Sequence, residues 1–261
     1  MSDRGWALIL GASSGFGAAS ARAFASAGYN ILGVHLDRRG AIPRVSALID
    51  DLRATGRQVH FFNQNAARDG ERAQMIDAFR EHLHPDGRIR VVLHSLAFGT
   101  LRPLISNDDS PQAARRQIEM TVDVMAHSFV YWVQDLLSAG LLDRTRIFAM
   151  TSAGSHQAWP SYGPVSAAKA TLESYVRQLS LELASSGHTV NAILAGVTDT
   201  PALSKIPGAA GLMASALKKN PHNRLTRPED VAACLVELSR SGTYWMTGNI
   251  IRVDGGEDVC A

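Results

Sequence analysis

Strand-like and helix-like segments alternate along the whole chain. Short apolar runs that end in glycine or polar residues predict strands, and the segments between them have helical periodicity. Seven strands are predicted, at 6–11, 30–36, 58–64, 88–96, 146–152, 188–194 and 249–256. Helices are predicted from the second strand to about 55, and at 18–28, 70–83, 111–138, 163–185 and 228–240. Because this alternation requires right-handed crossovers, we expect one α/β domain over 1–261 with a doubly wound, seven-stranded parallel sheet.

Length and composition agree with this fold. Of the 261 residues 46% are apolar, which suffices for a large core. No apolar stretch reaches the roughly 18 residues that span a membrane, and the N-terminal run is too short for a secretion signal. We therefore expect a cytoplasmic protein with no membrane partner. A net charge of +2 does not indicate nucleic acid, and the two cysteines form no metal-binding pattern, so neither ligand is expected.

One segment, 198–224, departs from the regular alternation. It contains three prolines and pieces that can form helix, and it is too long for an ordinary connection. Long insertions of this kind often cover a binding site. We expect it to be a substrate lid.

The segment GASSGFG connects the first predicted strand to the first helix. Its three glycines allow a pyrophosphate to approach the backbone, and the helix N-terminus offers N–H groups and the positive end of its dipole. Glycines also collect in ordinary turns, but the strand–turn–helix context favours nucleotide binding. The candidate cofactor residues here are Gly11, Ser13, Ser14, Gly15, Phe16 and Gly17.

The end of the second predicted strand bears on the choice between NADH and NADPH. An acid that binds a 2′-hydroxyl is expected about 20 residues past the glycines, where the chain reads GVHLDRRG. His35 stands at that position, Asp37 can accept from a hydroxyl, and Arg38 or Arg39 can bind a 2′-phosphate or lie on a solvated loop. His35 and Arg38 are the candidate cofactor residues. NADPH is favoured, and NADH is left open.

The ends of the third and fourth strands supply further candidates. The side chain after the third strand can hydrogen-bond adenine, and small residues after the fourth strand can lie beneath the nicotinamide ribose. His94 is either a catalytic base or a packed strand-end residue, and the packed alternative is favoured. The candidates for cofactor contact are Asn65, Ala66, Ser95, Leu96 and Ala97.

The stretch SYGPVSAAK contains Tyr162 and Lys169, seven residues apart. Spacings of four and of seven both put two residues on the same face of a helix, so both side chains can face a cofactor. A lysine near a phenol can hold it ready to give a proton or a hydrogen bond. Ser152 stands 17 residues before Lys169, as a supporting donor or as the cap of a turn.

Taken together, these motifs resemble the short-chain dehydrogenase/reductases. The resemblance runs from about residue 6 to 256 and includes GASSGFG, Ser152, the Tyr/Lys pair, LAGVTDT and VDGG. It implies a Rossmann-type domain, a nicotinamide cofactor and, usually, a homotetramer. It also implies cofactor contacts by Lys169 at the ribose, and by Gly196, Val197, Thr198 and Thr200 at the carboxamide edge.

Three departures from the usual pattern are similar to the enoyl-acyl-carrier-protein reductases. Val165 stands where most members have tyrosine, His94-Ser95-Leu96-Ala97 replaces Asn-Asn-Ala-Gly, and Asp123 stands at the asparagine that relays protons. The short nucleotide turn, with the segments 101–104 and 224–231, looks like the NADPH-dependent type III enzymes. Ser152 points the other way, since the common enoyl reductases have a second tyrosine there.

The resemblance implies reduction of the C2=C3 bond of an enoyl thioester in fatty acid biosynthesis, with a substrate carried by acyl carrier protein. Tyr162 would donate to the thioester oxygen, Lys169 would hold the ribose, and Ser152 would support the tyrosine. One alternative is a 3-ketoacyl or other carbonyl reductase with unusual spacing. Another is an inactive nucleotide-binding regulator, which the valine at 165 suggests and the retained Tyr162 and Lys169 oppose.

Overall fold

The computed structural model describes residues 4–83, 87–106 and 111–260. Seven strands form one sheet in the order β3-β2-β1-β4-β5-β6-β7, and all neighbouring pairs are parallel. The strands are β1 (Trp6–Leu10), β2 (Asn30–His35), β3 (Val59–Asn63), β4 (Ile89–His94), β5 (Leu142–Ser152), β6 (Thr189–Ala195) and β7 (Ile250–Val253). The expected doubly wound, Rossmann-type parallel sheet is confirmed.

The helices lie between the strands, as the alternation predicts. They are α1 (Gly15–Ser26), α2 (Ile42–Arg53), α3 (Asp69–His82), α4 (Arg115–Val122), α5 (Ser128–Ser138), α6 (Gly163–Glu182), α7 (Ala209–Lys219) and α8 (Pro228–Leu238). The long helix predicted at 111–138 is wrong in one respect, because a π-helical turn, Asp123–His127, divides it. Within the described ranges, no helix has the length and apolarity needed to cross a membrane.

Local sequence explains where several helices begin and end. Helix α8 begins at Pro228, where a missing N–H costs nothing, and the Asp230 carboxylate accepts from the Arg227 N–H at 2.8 Å. Gly28 follows α1 with φ +99°, and Gly187 ends the short helical turn Ala184–Ser186 with φ +74°, a left-handed conformation that suits glycine.

Two apolar layers pack against the two faces of the sheet. One contains Phe79, Phe129 and Trp132 from α3 and α5, and the other contains Phe24 from α1 with Phe148 from β5. Because both faces are covered, the inner strands are buried on both sides, and β1 and β6 are buried at every residue.

The carboxyl ends of the strands lie along one edge. Leu10 of β1 pairs with His94 of β4, and Ser152 of β5 pairs with Ala195 of β6, which pairs in turn with Val253 of β7. The strand order reverses between β1 and β4, and open α/β sheets bind ligands at such a switch point. The loops after β1, β4, β5 and β6 therefore meet there.

Candidate active site

The glycine turn packs directly on backbone. Gly11 has φ +91°, and a Cβ there would lie 2.4 Å from the carbonyl oxygen of Ser95. A Cβ on Gly17 would lie 2.0 Å from the carbonyl oxygen of Gly11, so only glycine lets α1 start this close to the turn. The β1–α1 turn consequently rests on the first residue after β4, as the predicted cofactor cleft requires.

The turn also reaches the loop after β6. A Cβ on Gly15 would lie 3.4 Å from Cγ2 of Thr200. Ser14 precedes α1 with an extended backbone, and among the described residues its hydroxyl makes no capping hydrogen bond. The N–H groups at the start of α1 thus lie in a cleft between two loops, an arrangement suited to a pyrophosphate. The structure brings together Gly11, Gly15, Ser95 and Thr200 as predicted.

At the end of β2, the acidic group that faces the turn is Asp37. Its carboxylate hydrogen-bonds Ser13 of the glycine turn, and its Oδ2 lies 3.0 Å from Nδ1 of His35. His35 is buried, and its direct contact with a cofactor stays a prediction. Burial works to raise the pKa of Asp37, but hydrogen bonds from Ser13 and His35 outweigh it, and the pKa lies below its usual value.

The backbone of Asp37 is fixed by Asn63 at the end of β3. The Asp37 N–H donates to Oδ1 of Asn63 at 2.9 Å, and Nδ2 of Asn63 donates to the Asp37 carbonyl at 3.0 Å. Arg38, predicted to bind a 2′-phosphate, is exposed beside the short helical turn that follows. Asp37, which the sequence offered only as an alternative, is thus the residue that faces the glycine turn, whereas Arg38 is exposed.

Three predicted cofactor side chains make local hydrogen bonds. Oδ1 of Asn65 accepts from the Ala67 N–H at 3.0 Å, the Thr198 hydroxyl donates to the Gly196 carbonyl at 2.9 Å, and Oγ1 of Thr200 accepts from the Leu203 N–H at 3.3 Å. These groups shape the loops that they belong to. Their direct contact with a cofactor stays a prediction.

Val197 has a partner that the sequence did not reveal. Its N–H lies 3.1 and 3.2 Å from the two carboxylate oxygens of Glu257, in the turn after β7. Burial raises the pKa of Glu257, and the hydrogen bond from Val197 opposes the rise. The next residue, Asp258, accepts from Nε2 of Gln157 at 2.7 Å, in the loop after β5. The C-terminal turn therefore holds both loops beside the cleft.

Tyr162 lies at the N-cap of α6. Ser161 before it has φ +61°, an unusual value for a residue with a side chain, and this turns the tyrosine back toward β5. A Cβ on Gly154 would lie 2.4 Å from Cε1 of Tyr162 and 3.3 Å from Oγ of Ser152. Burial raises the pKa of the Tyr162 phenol, and the nearby Ser152 hydroxyl opposes the rise. Tyr162 and Ser152 thus lie side by side and Gly154 leaves room for the ring, while the supporting role of Ser152 stays a prediction.

Lys169 lies two turns further along α6 and is buried. Its Nζ donates to the carbonyl of Met150 at 2.7 Å. Burial lowers its pKa to about 8, and the charge of Glu173 opposes this decrease. Lysine and tyrosine therefore both flank the end of β5, as their spacing predicts.

Val165, in place of the usual tyrosine, is a core residue. It is 6% exposed and packs with Met125 and Ala168, while Leu101 and the Tyr162 ring lie against the same cluster. A Cβ on Gly99 would lie 3.1 Å from Cγ2 of Val165. The position thus forms an apolar wall beside the tyrosine.

His94 is a packed strand-end residue, which confirms the favoured alternative. It is 0% exposed, and its Nε2 lies 2.9 Å from Oγ of Ser128, whose hydroxyl donates to the Val124 carbonyl at 2.8 Å. Since that hydroxyl proton is already used, Nε2 of His94 is the donor. Burial lowers its pKa to about 3, so the ring is neutral.

The fold, the glycine turn and the group formed by Tyr162, Ser152 and the buried Lys169 define an oxidoreductase of the short-chain dehydrogenase/reductase class. A family model described as enoyl-(acyl carrier protein) reductase matches residues 11–257, and the chain belongs to that family.

Named relatives point in two directions. An enoyl-[acyl-carrier-protein] reductase [NADH] of Aquifex aeolicus is 29% identical over 65% of this chain, which is 62% of that protein. A cis-4-hydroxycyclohexanecarboxylate dehydrogenase of Sinomonas cyclohexanicum is 28% identical over 96% of this chain and 95% of its own length. The curated relatives therefore include a reductase of an enoyl substrate and a dehydrogenase.

Solved structures share the fold over nearly the full chain. The enoyl-[acyl-carrier-protein] reductase (NADH) of Aquifex aeolicus has a TM-score of 0.84 at 24% identity, covering 99% of this chain and 98% of that one. The Bacillus cereus enoyl-acyl carrier protein reductase with NADP+ has a TM-score of 0.86 at 22% identity, with the same coverage.

Proposed function

We propose that the protein is an enoyl-acyl-carrier-protein reductase that reduces the C2=C3 bond of an enoyl thioester in fatty acid biosynthesis. The observation that carries the proposal is the position of Tyr162, seven residues before Lys169, with Val165 in the apolar cluster beside it. A homotetramer is expected for such an enzyme.

The reaction needs a donor at the thioester oxygen. When bound, a reduced nicotinamide would supply a hydride to C3 of the substrate, and the thioester oxygen would then carry the negative charge of an enolate. The buried phenol of Tyr162 is protonated over the working pH range because its pKa is raised, so it can donate a hydrogen bond there. Ser152 orients the phenol, and the proton that completes the reaction arrives at C2.

Carbonyl reduction is the second candidate, and one contact favours it. Oγ of Ser152 lies beside Tyr162 and has no hydrogen-bond partner among the described residues, so it can orient a ketone. That reaction must deliver the tyrosine proton to an oxygen that becomes an alcohol, and Lys169 must then help to replace it. Lys169 lies two helical turns from Tyr162, and its Nζ is hydrogen-bonded to the Met150 carbonyl. This arrangement suits a reaction in which the tyrosine is a fixed donor better than one in which the lysine relays protons to it.

Steady-state turnover separates the two candidates. We expect oxidation of the reduced cofactor with crotonyl and longer enoyl thioesters, and little with acetoacetyl thioesters or simple ketones. Activity confined to the ketones would overturn the enoyl proposal. Equal rates on acyl-carrier-protein and coenzyme A thioesters would contradict the proposal that the enzyme recognises the acyl carrier protein.

The segment 198–224 is the proposed lid. It contains a short helical turn, Leu203–Lys205, and helix α7, in which only Ala216 is buried. Nε1 of Trp159, in the loop that leads to Tyr162, donates to the Pro207 carbonyl at 3.2 Å. This bond ties the lid to the reacting side of the site. Lys218 and Lys219 are exposed at the end of α7 and suit an acidic carrier protein.

For the cofactor we propose NADH, against the preference for NADPH drawn from Arg38 and Arg39. The carboxylate of Asp37 faces Ser13, where it can accept from a ribose 2′-hydroxyl and would repel a 2′-phosphate. Similarity alone does not decide, because the Aquifex relative is named for NADH and the Bacillus structure has NADP+.

Substitution of Asp37 tests this cofactor proposal. In Asp37→Ser we expect the ratio of kcat/KM for NADH to that for NADPH to fall about tenfold or more, since one repulsive charge is removed. The exposed Asp50→Asn on α2 is the charge-matched control and leaves the ratio unchanged. A wild-type enzyme that prefers NADPH, with Asp37→Ser unchanged, would restore Arg38 as the deciding residue.

A further inference from the structure

The last three residues of β5 each face a different residue of the α6 region. The Met150 carbonyl accepts from Nζ of Lys169 at 2.7 Å, and the Thr151 hydroxyl donates to Oε1 of Glu173 at 2.6 Å. Ser152 lies beside Tyr162, since a Cβ on Gly154 would contact both. Lysine and tyrosine have roles in the proposed reaction, whereas Glu173 has none.

Glu173 is a buried carboxylate, and burying its charge costs desolvation free energy. It is 8% exposed, one helical turn after Lys169, which is 6% exposed. Residues four apart lie on the same face of a helix, so the two charged groups face the same strand. A buried charge is costly unless hydrogen bonds and an opposite charge offset it. Each of these groups has a hydrogen bond to β5 and an opposite charge one helical turn away.

We propose that Glu173 is a positioning residue for the reaction, the buried counter-charge that keeps Lys169 protonated and held against the end of β5. The inference rests on the proposed role of Lys169 at the cofactor ribose. Glu173 itself makes no contact with that ribose, and it acts through the lysine and through Thr151.

The other titratable groups near Lys169 leave this role to Glu173. His94, on β4, is neutral, and Tyr162 is protonated because burial raises its pKa. The π-helical turn packs against α6 and contributes Asp123 and His127, which line a surface cavity of about 570 Å³. Nδ1 of His127 lies 2.9 Å from the hydroxyl of the partly buried Tyr175, and the charge that raises the pKa of Lys169 is that of Glu173.

The sign of the effect follows from the two causes that act on Lys169. Burial lowers its pKa to about 8, and the charge of Glu173 raises it. Without that charge the pKa falls further, and the lysine loses its proton at a lower pH. The alkaline limb of any property that needs the ammonium must then move to lower pH.

The test is the pH dependence of cofactor binding and of turnover in Glu173→Gln. We expect the alkaline limb of both to move down by about one pH unit or more, the effect of removing an opposite charge at close range. Glu182→Gln, an exposed substitution on the same helix, is the matched control and leaves the limb in place. A limb in Glu173→Gln that coincides with the wild-type limb would overturn the proposal.

Thr151→Val separates the charge from the hydrogen bond. It leaves the Glu173 charge but removes its donor, so turnover should fall without a shift of the alkaline limb. A shift as large as that of Glu173→Gln would make the hydrogen bond, and not the charge, responsible. Should Glu173→Gln fail to fold, Glu173→Asp replaces it, because a retracted charge must move the limb in the same direction by a smaller amount.

Cofactor binding, measured by fluorescence of the reduced nicotinamide, keeps the inference separate from the proposed function. If the wild type binds the cofactor but reduces no enoyl thioester, the proposed function is wrong. The alkaline limb of the pH dependence of cofactor binding still tests the role of Glu173 in that case. If turnover is present and neither limb moves in Glu173→Gln, only the inference fails.

Discussion

The two halves of the site are built from different parts of the chain. On the cofactor side the loops meet backbone to backbone, and a Cβ on Gly11 or Gly17 would collide with a carbonyl oxygen. On the reacting side the contacts are made by polar side chains, with Lys169 and Glu173 hydrogen-bonded to residues of β5 and Tyr162 beside Ser152. The cofactor half depends on glycines that have no side chain, and the reacting half depends on the protonation and charge of its side chains.

This difference determines how each half can fail. A collision between a new Cβ and a backbone oxygen cannot be relieved by rotating a side chain, so it should affect binding and stability together. A changed hydrogen bond or charge leaves the shape intact and should alter the rate or its pH dependence. Substitutions confined to one half therefore test whether the halves are separable.

Tyr162→Phe should have the largest effect on the reacting half. It removes the donor to the developing enolate, so we expect kcat to fall about 10²- to 10³-fold. The dissociation constant of the cofactor should be unchanged. Tyr175→Phe on the same helix, whose hydroxyl bonds His127, is the control and should retain activity. Unchanged turnover in Tyr162→Phe would refute the mechanism while leaving the fold intact.

Gly17→Ala is the corresponding change in the cofactor half. Alanine usually stabilises a helix, but here its Cβ would lie 2.0 Å from the Gly11 carbonyl oxygen. We expect a cofactor dissociation constant raised about tenfold and a loss of about 1–3 kcal/mol in the free energy of unfolding. Both are accessible by titration and denaturant unfolding.

The control for Gly17→Ala lies in another helix. Gly70 in α3 has open space around its Cβ position, so Gly70→Ala should be neutral or stabilise by up to about 1 kcal/mol. If Gly17→Ala behaved like Gly70→Ala, the close approach of α1 to the turn would not matter for cofactor binding.

Gly154→Ala carries the steric test into the reacting half. The new methyl would lie 2.4 Å from Cε1 of Tyr162, so the ring must move while the glycine turn does not. We expect kcat to fall about tenfold, the scale of a misplaced reacting group, with little change in cofactor affinity. A loss of cofactor affinity as large as that of Gly17→Ala would show that the two halves are coupled.

How well the sequence predicted the site follows the same division. The glycine turn, the strand ends and the seven-strand sheet were predictable, because glycine spacing and apolar alternation report backbone geometry directly. The spacing of Tyr162 and Lys169 was readable for the same reason, since it is set by the helix.

Contacts between distant side chains were not readable in this way. No local pattern marks Glu257, which holds Val197 from 60 residues away, or Thr151 as the partner of Glu173. His35 was chosen over Asp37 by counting positions, yet the chain turns after β2 so that the aspartate faces Ser13. One signal in the sequence was Glu173 itself, because an acidic residue four positions after Lys169 lies on the same face of the helix.

Ser161→Gly should have the smallest effect. Its φ of +61° costs a residue with a Cβ roughly 1–2 kcal/mol, so glycine should stabilise the fold by roughly 0.5–1 kcal/mol after the added freedom of the unfolded chain is counted. Ser166→Gly, inside α6, is the control of opposite sign and should destabilise by about the same amount. Activity in Ser161→Gly should stay near wild type if the contacts of Tyr162 with Ser152 and Gly154 suffice to hold the ring. A lower kcat with a gain in stability would mean that the strained serine is itself part of what positions the phenol, and the reacting half would then depend on backbone geometry as the cofactor half does.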